Sequence, residues 1–450
     1  PEFGHTDYIE IDYDCKSLSD AYGVFYVKAK TYWYPENPIR DIATFDLIYN
    51  TPKELEIVSC GDFIDYVEEG DIGTCHWKVN NPVEYISFNI GVFETREFNI
   101  ENLAPVKVYL LESVDHTRWA LLLAYFGELS QADMLGAVGA DVTNSLAFYT
   151  GILGPCPFDT IRATEIYTVG SGQGSPGFIH LSWDTFQMDD IKGWDEAFRA
   201  HEVAHQWWGH MIDYESYKDV WITEGLANYC GLWFYELSSR NRDAVRNMLN
   251  IWREAAIAGL SVQSVGSKAG PLVLGYRLSS SKSSDYNNIV YRKGGYIFHM
   301  IRYILHDYET GSDDVFAAFL KSLVDKFKGK VITTALLQKH LEEFTGEDVN
   351  WFFDQWVYGM EIPEYKFGYT YSATEDGKYG VTCNVKQEKV PDDFQMLVPI
   401  TVLFEDDRYI HLKLWIDQPE MTIDLPNLPY EPEKIVFNTF DAVLCKVDYE

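Results

Sequence analysis

Apolar and polar residues alternate through most of the first hundred positions, the period-two signature of half-buried strands. Segment 22–33 carries that pattern, 42–49 and 55–60 are rich in β-formers, 83–90 and 92–100 follow turn residues, and 106–111 is another strand. Near residue 130 the period lengthens. Residues 130–153 have helical spacing and stop at Gly154-Pro155. Two further strands, 161–168 and 178–181, flank a glycine-rich turn. Helical spacing then dominates at 194–211, 219–239, 242–258, 289–307, 313–327, 333–344 and 349–358. The Ser-rich interval 266–288 reads as a loop bordering a cleft. Beyond Pro363, short alternating runs at 366–371, 381–390, 397–404, 409–416 and 435–438 predict a small β-sandwich. The expectation is a multidomain α+β chain: an N-terminal β domain at 1–105, a mostly helical domain at 106–363 and a β-sandwich at 364–450.

Composition narrows the partners. With 46% hydrophobic and 16% aromatic residues, 450 residues support substantial cores. A net charge of −33, from 36 basic and 69 acidic side chains, argues against nucleic acid and anionic membranes. No apolar run approaches the roughly 18 residues of a membrane span; the longest lies around 119–127. The acidic N-terminus is no signal peptide; Pro1-Glu2-Phe3 could be a vector scar, in which case export cannot be judged. Seven cysteines are scattered without a CxxC pair; Cys60 and Cys75 are candidates for a cross-strand bridge, and the redox compartment stays open.

The chemistry concentrates in His201-Glu202-Val203-Ala204-His205, with Glu224 following later. Residues four apart share a helix face, so His201 and His205 can aim two imidazoles at one ion. Glu202 is offset from that face, placed to take a proton from an attacking water. Glu224, on the next helical segment, completes a three-ligand set that leaves one coordination position for catalysis. One zinc ion per chain is expected. The alternative is a metal-free buried helix whose histidines are satisfied by hydrogen bonds.

These segments resemble the gluzincin aminopeptidases, the metallopeptidase family of membrane alanyl aminopeptidase and leukotriene hydrolase. His201-Glu-Val-Ala-His-Gln-Trp-Trp-Gly-His210 is similar to the family's extended zinc helix, and Asp219-Val-Trp-Ile-Thr-Glu-Gly-Leu-Ala-Asn-Tyr229 to its third-ligand helix. Residues 144–149 resemble the helix entering the catalytic domain, and 348–356 its closing segment. The resemblance covers about 105–363, implies a thermolysin-like catalytic domain, and implies zinc on His201, His205 and Glu224 with Glu202 as general base. Tyr291-Arg-Lys-Gly294 is similar to the family's Tyr-x-Lys-Gly, which implies that Tyr291 stabilises the oxyanion; Tyr286 is expected in the same pocket or in the loop beside it.

One stretch departs from the pattern. Where the family carries Gly-x-Met-Glu-Asn, whose Glu binds the substrate's α-ammonium, this chain has Gly170-Ser-Gly-Gln-Gly-Ser-Pro-Gly177. Its backbone can pair with an extended peptide, with Gln173, Gly174 and Gly177 as candidate substrate-binding residues, but it holds no carboxylate. The resemblance implies a zinc metallopeptidase, foremost an aminopeptidase. An endopeptidase or a peptidase accepting blocked N-termini is the nearest alternative, and a non-catalytic peptide-binding scaffold the next. It also leans toward an exported location, with a cytoplasmic one left open.

Overall fold

The computed structural model describes residues 9–21, 23–27, 33–35, 42–116, 133–187 and 193–450. The expected strand at 22–33 and helix start at 130 lie partly outside these residues. The apolar run at 119–127 and Pro1-Glu2-Phe3 lie wholly outside them. The described residues form two compact units, one drawn from 1–140 and 158–189, the other from 141–157 and 190–450.

The first unit is built of three sheets. A four-stranded sheet orders Ser19–Ala21, Val24–Tyr26, Phe88–Gly91 and Glu56–Ser59, and a three-stranded one orders Ala43–Pro52, Ile72–Val83 and Asp62–Glu69. The third has five strands in the order Gly172–Ser175, Phe178–Ser182, Ile161–Ile166, Val106–Leu111 and Phe93–Phe98. Ile161–Ile166 runs parallel to both neighbours and is buried at every position, as a central strand covered on both faces must be. A core of Val24, Val58, Val79, Leu111 and Phe178 closes the unit. The boundary expected at residue 105 is corrected here. It falls inside the five-stranded sheet, because Phe93–Phe98 pairs antiparallel with Val106–Leu111. Alternation announces strands but not which strands join.

In the second unit the helices Trp194–Ala204, Val220–Ser239, Arg242–Ala258, Gly294–Leu305, Asp314–Phe327, Thr334–Thr345 and Asn350–Trp356 precede two sheets. One sheet orders Glu420–Asp424, Tyr379–Glu388, Glu364–Ala373 and Lys446–Tyr449; the other orders Tyr409–Ile416, Met396–Phe404 and Pro432–Phe437. Phe437 stacks on Phe367 at 4.7 Å and meets Tyr365 at 5.3 Å, so the sheets face each other as a sandwich. The helices and the sandwich belong to the same unit, against the expected cut at 363. Gln355 and Gln395 exchange two hydrogen bonds of 2.9 Å across that cut, and Tyr296 donates to the Asp441 carbonyl at 2.7 Å.

All seven cysteines are free thiols, so the Cys60–Cys75 bridge is not formed. No helix among the described residues is long and apolar enough to cross a membrane.

Candidate metal centre

The helix expected at 194–211 ends at Ala204. Past it the turns tighten, with the Gln206 and Trp207 N–H groups on the Val203 and Ala204 carbonyls, and Gly209, at φ of 126°, donates its N–H to the Ile212 carbonyl at 2.7 Å. His205 sits at the helix C-cap but keeps helical dihedrals, with its N–H on the His201 carbonyl. The four-residue spacing therefore still points both imidazoles the same way. Their Nε2 atoms are 3.0 Å apart, and Glu224 Oε2 lies 3.8 Å from the first and 3.4 Å from the second. All three ligand atoms fall within 4.8 Å of one another.

Glycine makes that convergence possible. A Cβ on Gly231 would meet the Ala197 carbonyl oxygen at 2.4 Å and the His201 nitrogen at 3.2 Å. Only a bare backbone lets Val220–Ser239 cross Trp194–Ala204 this closely, two turns beyond Glu224. Gly225 repeats the device against Gly294, whose carbonyl carbon a Cβ would meet at 2.8 Å. The glycine after Glu224 and the glycine ending Tyr-x-Lys-Gly are thus two sides of one backbone contact.

The polar atoms of the cluster suit a cation. His205 Nδ1 donates to the Trp208 carbonyl at 2.8 Å, which leaves its Nε2 as a lone pair. His201 Nδ1 is buried without a hydrogen-bond partner, and the buried Glu224 Oε2 faces both imidazole Nε2 atoms, a grouping that a shared cation would satisfy. Burial and the neighbouring His205 hold His201 down at about 3. Burial opposes charge on His205 as well, but the Glu224 carboxylate outweighs it and lifts that imidazole to about 9.

Glu202 is buried on the same helix, next to the first imidazole in sequence. Tyr291 stacks on His201 at 6.0 Å, with its phenol beside the Glu224 carboxylate. Burial, and then that carboxylate's charge, push its ionisation well above the usual phenol range, so it stays a hydrogen-bond donor. Tyr286 meets Tyr291 edge-on at 5.5 Å. Tyr291 lies within the π-helix Asn287–Lys293, a geometry that concentrates at functional sites. At its end Lys293 is fully buried, with its ammonium on the Gly359 carbonyl at 3.3 Å. Burial drops that amine to about 8.

The candidate substrate residues Gln173, Gly174 and Gly177 belong to the other unit. The glycine-rich turn expected there is partly a strand: Gly172–Ser175 forms the edge of the five-stranded sheet, with Gln173 opposite His180. Gly177 is a turn residue. With φ of 65° after Pro176, it closes the two-residue hairpin to Phe178–Ser182.

Three contributors escape sequence reasoning. Asn228, one turn beyond Glu224, donates to the Tyr291 carbonyl at 3.0 Å, and its i+4 spacing was the available signal. Tyr217 stacks on Tyr286 at 6.5 Å. Asp184 supplies a carboxylate to the glycine stretch by accepting the Gly170 N–H at 2.9 Å.

Comparison with known proteins agrees with this geometry. Residues 188–356 match the Peptidase family M1 domain. Aminopeptidase M1-C of Oryza sativa subsp. japonica is 28% identical over 333 residues, 71% of this chain and 34% of that protein. Aminopeptidase M1 of Arabidopsis thaliana is 24% identical over 376 residues, 80% of this chain and 38% of that protein. The crystal structure of Legionella pneumophila aminopeptidase A in complex with aspartic acid shares the fold, with a TM-score of 0.71 at 16% identity, over 96% of this chain and 48% of that one. The chain thus spans well under half the length of these curated relatives. A two-histidine, one-carboxylate cluster on crossing helices lies inside the matched segment, so residues 188–356 are similar to the Peptidase family M1 domain in sequence and the chain resembles an aminopeptidase structure in fold.

Proposed function

We propose that this chain is a zinc-dependent metallopeptidase that removes residues from the free N-termini of peptides. The observation that carries the reading is the convergence of His201, His205 and Glu224, with a buried carboxylate oxygen 3.8 and 3.4 Å from the two imidazole Nε2 atoms. Two nitrogens and one oxygen suit zinc. When bound, zinc supplies a Lewis acid that polarises the scissile carbonyl and acidifies water. Glu202 takes the proton of the attacking water and returns it to the leaving amine. The Tyr291 phenol donates to the oxygen that gains charge as the carbonyl turns tetrahedral. The edge strand Gly172–Ser175 pairs with the extended peptide.

A second reading, a peptidase indifferent to blocked N-termini, draws support from that strand, which has no carboxylate of its own. One experiment tests both. The purified protein is assayed for metal, then given a pool of peptides and their N-acetylated twins. The proposal expects one zinc per chain and stepwise cleavage that acetylation abolishes. Equal cleavage of the twins selects the second reading. Zinc at full occupancy with no peptide cut leaves a binding scaffold.

A further inference from the structure

The interval 266–288 is more ordered than its serines suggest. The Asp285 carboxylate accepts from the N–H groups of Val265 and Gly266 at 2.9 Å and from the Asn288 amide at 3.0 Å, tying the two ends of the interval together. Between those ends runs Leu272–Leu278. Its Gly275, at φ of 71°, lies against Lys218, whose Cγ would be 3.1 Å from an added Cβ. The turn thereby seats Tyr276 on Tyr217, edge to face at 5.8 Å.

From there the rings continue inward. Tyr217 stacks on Tyr286, Tyr286 meets Tyr291, and Tyr291 stacks on His201. A single row of aromatics leads from Tyr276, 61% exposed, to the metal-donor cluster. One exposed ring is ordinary on any surface. A row running from solvent to the donor atoms lays continuous aromatic surface toward the cluster. Its chemistry selects the visitor, because ring faces and edges favour another aromatic. Lys218 and Arg277, chain neighbours of the two outer rings, disfavour a cation.

We propose that Tyr217 and Tyr276 form a subsite for an aromatic side chain of the peptide substrate, next to the bond that is cleaved. The proposal rests on the metallopeptidase reading. It assigns the two tyrosines to specificity and leaves the reacting atoms to Glu202 and Tyr291.

The test uses the zinc-loaded full chain and matched peptides carrying Phe or Ala at the positions flanking the cleaved bond. The readout is the ratio of kcat/KM for the Phe peptide to that for the Ala peptide. Tyr276→Ala and Tyr217→Ala should each lower this ratio about five- to tenfold, mainly through KM, and Tyr276→Trp should preserve it. A ratio that stays constant while both peptides slow together overturns the proposal, since it reports a merely structural role. If wild type cuts neither peptide, the metallopeptidase reading has failed. Calorimetric titration with phenylalanine amide then decides the subsite alone: weaker binding by Tyr276→Ala supports it, and equal binding overturns it.

Discussion

The helix pair bearing His201, His205 and Glu224 is specified by side chains, whereas the strip Gly172–Ser175, in the proposed reading, would engage a peptide through its main chain. In the first, each position has one chemical identity that the geometry requires. In the second, almost any residue can supply the same amide and carbonyl, and the glycines serve close approach rather than chemistry. A motif is therefore sharp where atoms must converge and soft where a backbone merely offers hydrogen bonds. The strip forms its strand without a carboxylate of its own; the loss of Glu224 would dismantle the cluster.

Four measurements sharpen this contrast, and the largest effect should come from the base. Glu202→Gln should cut kcat by on the order of 10³-fold, with zinc content kept; turnover near wild type would remove Glu202 from the chemistry. Next, Tyr291→Phe removes one donor and should lower kcat about a hundredfold, while KM holds; an unimpaired rate would show that the phenol only packs on His201. Gly231→Ala tests the crossing itself. The added methyl meets a carbonyl oxygen at 2.4 Å, so stability should fall by about 1–3 kcal/mol, read as a lowered unfolding midpoint together with weaker zinc retention. A variant as stable and as well loaded as wild type would refute the glycine argument. The smallest change belongs to the strip, where Gln173→Ala should raise KM by no more than about tenfold. A collapse of kcat instead would mean that the strip, too, depends on side-chain identity.

Much of the site was legible because helical periodicity converts spacing into direction. His201 and His205 needed only four residues between them, and the helix expected at 242–258 appears as Arg242–Ala258. What was missed lacks such a code. Asp62–Glu69 is exposed at nearly every position, so no alternation betrays it, yet it pairs with Ile72–Val83. The helix bearing His201 ends at Ala204, where the following N–H groups shift to bonds three residues back, a tightening that no periodicity announces. Gly172–Ser175 carries almost no side chains from which to read a face. Tyr217 and Tyr286 are distant in sequence, and their meeting is a fact of folding rather than of pattern.

The contact of Gly225 with Gly294 has a consequence for anyone who would redesign this protein. Two bare backbones in touch act as a fixed ruler between carboxylate and phenol, indifferent to which side chains surround them. Libraries that vary the lining residues should therefore keep the reach of Tyr291 toward Glu224, provided both glycines are held constant. Loosening either one would lengthen the ruler, and no choice of wall residues could shorten it again.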